Sequence, residues 1–107
     1  MSQYDLAFPL ADIPAGQVVG CSLRGIELAV YNVNGEIYAS QDECSHGKTS
    51  LSEGELDEYE IECPLHRGTF DVRNGMPGAL PCTVPIKTYP VKIENGNVFI
   101  DVENPLV

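Results

Sequence analysis

Basic residues are scarce in this chain: six lysines and arginines stand against sixteen aspartates and glutamates, a formal net charge of −10. Six cations cannot build the basic face that a phosphate backbone requires, so nucleic acid is excluded as a partner. An anionic membrane surface is disfavoured on the same ground. Long apolar runs are missing too, and nothing approaches the roughly 20 residues that span a bilayer. The opening Met1-Ser2-Gln3-Tyr4-Asp5 has no basic start leading into an apolar stretch with a small-residue cleavage site. The expectation is a cytoplasmic protein. Helix-forming runs of Ala, Leu, Lys and Glu are few, whereas there are eight prolines and ten glycines. That balance favours strands joined by tight turns. There is no repeat, low-complexity tract or linker, and 107 residues make one domain with a modest core. A core of that size gains from an internal metal staple.

What is present is a series of short apolar or alternating segments between turn signals. They run over 4–8, 18–23, 27–33, 37–40, 69–72, 86–93 and 97–102. Asn34-Gly35 and Asn95-Gly96 fall between such segments, and Asn-Gly suits the two-residue hairpin whose turn positions both need positive φ. Asn74-Gly75 marks a third possible turn. Short strands at this spacing predict an all-β chain, an antiparallel sandwich or partly closed barrel. The middle differs from both ends. Residues 1–41 and 82–107 are expected to form the β base, and about 42–81 a loop-rich subdomain mounted on it. Loops on a rigid scaffold are where sites usually sit.

The chemistry-bearing residues concentrate in that middle. The chain has only two histidines, and each lies close to a cysteine: Cys44-Ser45-His46 and Cys63-Pro64-Leu65-His66. In a reducing compartment, cysteines accompanied by histidines point to metal rather than to disulfides. Thiolate and imidazole together suit borderline-soft metals, so the candidates are tetrahedral zinc and an iron–sulfur cluster. Zinc sites of two Cys and two His usually take a Cys pair from one turn and a His pair from another. Here each arm offers one of each. That is the pattern in which two His replace two Cys on one iron of a [2Fe–2S] centre.

With these two motifs the chain resembles the Rieske family. The surroundings extend the likeness: His46-Gly47, Leu51-Ser52-Glu53-Gly54, Ile61-Glu62-Cys63-Pro64-Leu65-His66-Arg67-Gly68, Phe70-Asp71, Gly75-Met76-Pro77 and Pro81-Cys82-Thr83-Val84-Pro85. Together they are similar to the Rieske-type ferredoxins of bacterial aromatic ring-hydroxylating dioxygenase systems. The resemblance implies one [2Fe–2S] cluster, with Cys44 and Cys63 on the buried iron and His46 and His66 on the outer one. It implies that the loop from Gly75 to Pro81 covers the cluster. It also implies an electron carrier, not an enzyme by itself, that passes one electron at a time from an NADH-dependent flavoprotein reductase to a terminal oxygenase. Such a carrier is expected to be monomeric, kept soluble by its charge and steered by it toward basic partners. Two other readings of the same residues are a zinc-stabilised interaction module and a small Rieske subunit of another redox enzyme, nitrite reductase-like. Colour separates the first, and copurification with a large subunit the second.

The departures from respiratory Rieske proteins carry information. Those relatives have two further cysteines bridging the cluster loops, where this chain has Thr49 and Leu65. They also place Ser and Tyr hydroxyls toward cluster sulfur, where this chain has Gly68 and Phe70. Fewer donors stabilise the reduced state less and lower the potential. Outside the motif, Cys21 and Cys82 are read as inert thiols. The run Glu53, Glu55, Asp57, Glu58, Glu60 and Glu62 reads as a solvated face or as a reductase-docking surface. Lys48 and Arg67 are the rare cations of the two cluster loops, and Pro64 shapes the second.

Overall fold

Asn34 and Gly35 adopt φ of 52° and 96°, and Asn95 and Gly96 repeat the geometry at 52° and 75°. Each pair closes a two-residue hairpin, as the Asn-Gly signals predict. The computed structural model describes residues 4–44, 49–64, 67–80 and 84–106. Within them the regular structure is antiparallel β, in three sheets, with two short 3₁₀ turns.

The first sheet pairs β1 (Asp5–Pro9), β10 (Asn97–Ile100) and β9 (Val91–Glu94), so the two ends of the chain meet in it. The second orders β2 (Val18–Leu23), β3 (Ile26–Val33), β4 (Glu36–Gln41) and β8 (Thr88–Tyr89). The third is small: β5 (Glu55–Asp57), β6 (Glu60–Glu62) and β7 (Thr69–Asp71). Strand β3 is the centre of the molecule, because every residue from Leu28 to Val33 is buried. Its side chains alternate between two cores. Leu28 and Val30 pack with Val98, Ile100 and Tyr89. Ala29, Tyr31 and Val33 pack on the other side with Ile61, Phe70 and Val72 of the small sheet and its margin. A strand covered on both faces reads as a near-continuous apolar run, and Leu28-Ala29-Val30-Tyr31 is one.

Two features of the elements depart from expectation. The segment 86–93 is not one strand; Pro90 separates β8 from β9, and the two belong to different sheets. Proline has no N–H to continue a ladder, so the chain changes sheet there. The loop-rich middle holds a real sheet, and β5 and β6 carry only one apolar residue each, Leu56 and Ile61. Three-residue strands with charged flanks leave little alternation to read. Asn74-Gly75 does form a turn, with Gly75 at φ 76° and the Gly75 N–H donating to the Asp71 carbonyl at 2.7 Å.

The small sheet is fastened to the second sheet on its outside. The Tyr38 and Tyr59 hydroxyls both donate to Glu36 Oε1, at 3.1 and 2.9 Å. Their rings meet edge to face at 6.2 Å, and the Arg73 guanidinium lies 4.0 Å over the Tyr59 ring while it pairs with Asp71. This clasp links β4 to the β5–β6 turn and to the end of β7.

Candidate metal centre

Cys44 follows β4 and opens a short loop whose neck is closed by backbone bonds. Its N–H donates to the Thr49 carbonyl at 2.9 Å, Glu43 bridges Ser50, and the Leu51 N–H donates to the Asp42 carbonyl at 2.6 Å. The Asp42 carboxylate also accepts the Ser52 N–H at 2.8 Å, which seats the 3₁₀ turn Leu51–Glu53. Cys63 stands at the matching position of a second hairpin loop, between β6 and β7. Its N–H donates to the Gly68 carbonyl at 2.8 Å, and its carbonyl accepts the Arg67 N–H at 3.0 Å. Arg67 takes φ of 61°, a left-handed conformation uncommon for a residue with a Cβ, and it turns the chain back toward β7.

Two necks of similar construction therefore each present one cysteine. Cys44 is 2% exposed and Cys63 is fully buried, and both belong to one group with Leu51, Ile61, Phe70, Val72 and Ile86. The arms are held together by a close approach at Gly54, where an added Cβ would lie 2.0 Å from the Glu62 carbonyl oxygen. Only glycine lets the segment after the first arm run against the strand that leads to Cys63. His46 lies in sequence between Cys44 and Thr49, and His66 between Cys63 and Gly68. Both histidines, with Lys48, Pro81 and Cys82, fall outside the described residues.

Two buried thiols at adjacent loop necks, each with a histidine two or three residues on, make a donor set of soft sulfur and borderline nitrogen. Such a set fits an iron–sulfur cluster carrying both ligand types. The apolar shell around the cysteines excludes water from that side. Cys21 is different: it is half-buried on β2, takes no part in a disulfide, and burial aided by Glu27 and Asp42 pushes its thiol up to about 11. It stays protonated at neutral pH, in keeping with an inert role. In the acidic run, Glu55 lies directly opposite Glu62 and Asp57 opposite Glu60, on the outer side of the small sheet. Gly54 and Thr69 each make a contact with distant backbone that composition and spacing do not reveal.

Comparisons with known proteins agree with the fold. The model of the Rieske [2Fe–2S] domain matches residues 4–90. The ferredoxin component of the naphthalene 1,2-dioxygenase system of Pseudomonas putida is 54% identical over 95 residues, covering 89% of this chain and 91% of that protein. The solved Sphingomonas yanoikuyae B1 ferredoxin superposes with a TM-score of 0.88 at 42% identity, over 92% of this chain and 98% of that one. A ferredoxin chain from the complex of reduced oxygenase and oxidised ferredoxin in carbazole 1,9a-dioxygenase also gives 0.88, at 39% identity and 94% coverage of both chains.

Proposed function

This chain belongs to the Rieske [2Fe–2S] domain family, and on that premise we propose that it is the one-electron carrier of an aromatic ring-hydroxylating dioxygenase system. The likeness spans nearly the full length of relatives named as ferredoxin components, which are carriers and not catalytic subunits. Family membership also removes the zinc reading that the donor set alone left open. In this proposal Cys44, His46, Cys63 and His66 would hold the cluster, through two thiolates and two imidazoles. Residues 42–81 form the cluster-bearing part, and 1–41 with 82–107 the base.

The bound cluster supplies a one-electron couple. The protein's part would be to hold it on a β framework, with the cysteines buried among apolar side chains. The observation that carries the reading is the pair of buried cysteines at matched loop necks, locked together at Gly54. The partners proposed are a terminal oxygenase, by analogy with the carbazole system in which a ferredoxin and an oxygenase form a complex, and an NADH-dependent flavoprotein reductase. Among the described residues no helix is long and apolar enough to cross a membrane. A cytoplasmic location belongs to the same proposal.

The test is analytical first and functional second. The purified brown-red chain should contain two irons and two acid-labile sulfides and take up one electron in a reductive titration. Once reduced, it should sustain turnover of a terminal oxygenase of this class. A colourless zinc-bearing chain overturns the ligand proposal, and an iron-loaded chain that delivers no electrons to any such oxygenase overturns the role.

A further inference from the structure

The free edge of β7 is covered by the segment that follows Gly75. The Asp71 N–H donates to the Met76 carbonyl at 2.8 Å, Phe70 bridges Pro77, and the Gly78 N–H donates to the Thr69 carbonyl at 2.8 Å. The Thr69 N–H reaches back to the Ala79 carbonyl at 3.3 Å. Residues 76–79 thus run as a short strand-like piece along an edge that would otherwise be open. Pro77 suits this place because no N–H is required of it. The far limb of the same loop is tied at its base, where the Ile86 N–H donates to the Gly75 carbonyl at 2.9 Å.

One side chain adds to these backbone bonds. Thr69 Oγ1 accepts the Ala79 N–H at 2.8 Å. The same oxygen would lie 2.5 Å from a Cβ at Gly78, so the segment closes down on the hydroxyl as far as a bare Cα allows. Thr69 therefore holds Gly78 and Ala79 with its N–H, its carbonyl and its hydroxyl. It does so immediately after Gly68, whose carbonyl closes the Cys63 neck. The next residue, Leu80, is 77% exposed.

We propose that the Thr69 hydroxyl is the latch that fixes segment 76–79 against the Cys63 arm, and that this latch limits the access of water to the cluster edge. Thr69 is a positioning residue, acting on the cluster's surroundings through the covering segment. The inference rests on the ligand assignment above. Because the reduced cluster carries one more negative charge than the oxidised one, added water stabilises the reduced form and raises the midpoint potential.

The test compares wild type, Thr69→Val and Thr69→Ser as cluster-loaded proteins, by amide hydrogen exchange and by voltammetry. Valine keeps the shape and removes the acceptor; serine keeps the acceptor. In T69V the Ala79 amide should exchange about tenfold faster, the loss of one hydrogen bond, with Val30 and Tyr31 of the central strand unchanged. Its midpoint should rise, and T69S should return both readings to wild type. An unchanged Ala79 amide in T69V overturns the latch. Faster exchange with an unmoved potential overturns its control of the cluster. Wild-type protein that binds no iron sinks the ligand assignment instead, and the Ala79 exchange still reports the latch by itself.

Discussion

At Phe70 the respiratory members of the family are expected to carry a tyrosine, and here the ring is fully buried among the same side chains as Cys44 and Cys63. A hydroxyl added to that ring would enter this buried group, where a hydrogen bond to cluster sulfur would favour the reduced state. Lacking this donor and the Ser hydroxyl at Gly68, the wild type should have a midpoint on the order of −150 mV, the low end of the Rieske range. Phe70→Tyr should raise it by about 59 mV or somewhat less, since that interval is a tenfold change for a one-electron couple. Voltammetry at neutral pH checks both, and a wild-type value well above zero contradicts the hydrogen-bond argument. Cys21 gives the opposite expectation. Its thiol is half-buried and pushed up to about 11, so Cys21→Ser should leave iron and sulfide content unchanged. Loss of iron in that variant would put Cys21 among the residues that maintain the cluster.

Among the elements, the joint between the small sheet and the rest is the mechanically important one. On the inside it depends on Gly54, whose hydrogen lies where a methyl would strike the Glu62 carbonyl. Gly54→Ala should force the two arms apart at a cost of about 1–3 kcal/mol, the usual range for overpacking. It should also weaken iron retention, readable as faster bleaching under a chelator. On the outside the joint is the clasp of Tyr38, Tyr59, Glu36 and Arg73. The hydrogen bond to Glu36 holds the Tyr59 hydroxyl above its ordinary range, and desolvation with the same acceptor does so for Tyr38. Burial acts likewise on Tyr31 and Tyr89. A tyrosine whose folded pKa is raised binds its proton more tightly in the folded state. Its contribution is whole below the unfolded value of about 10 and is lost as pH climbs toward the folded value. Denaturant midpoints should therefore fall above about pH 10. A Tyr38→Phe/Tyr59→Phe double variant should show a shallower fall, with Tyr31 and Tyr89 supplying the remainder.

The elements also show what could be read from residues alone. The hairpins at Asn34-Gly35 and Asn95-Gly96 were legible because the turn chemistry is local. Arg24-Gly25 makes an equivalent turn at φ of 52° and 78°, but arginine carries no such signal. Strands β5 and β6 escaped detection because one apolar residue in three has no period. The cysteines were legible because Cys-x-His and Cys-x-x-His are short and the chain has only two histidines. The Thr69 contact was not, because a side chain reaching a backbone amide ten residues away leaves no pattern in the sequence.

For the whole molecule, the dominant feature is negative charge. The net −10 is expressed in part on the outer face of the small sheet, where Glu55, Asp57 and Glu60 are exposed beside the cluster arms. Like charges directly opposite across strands cost stability, and a basic partner surface would relieve that cost. Screening acts over roughly 10 Å at 0.1 M salt, so the second-order rate of reduction by the proposed flavoprotein partner should fall as ionic strength rises. Stopped-flow rates from low to high salt check this, and a rate indifferent to salt assigns the encounter to apolar contact.

The central claim is that this chain carries a cluster held by both of its histidines. Pulsed EPR of the reduced protein, grown with ¹⁵N-histidine, tests it most directly, because the chain holds only two histidines to label. The account predicts two strongly coupled histidine nitrogens in wild type and loss of the wild-type signal in either His46→Ala or His66→Ala. A reduced cluster with no histidine nitrogen coupled to it would contradict the account.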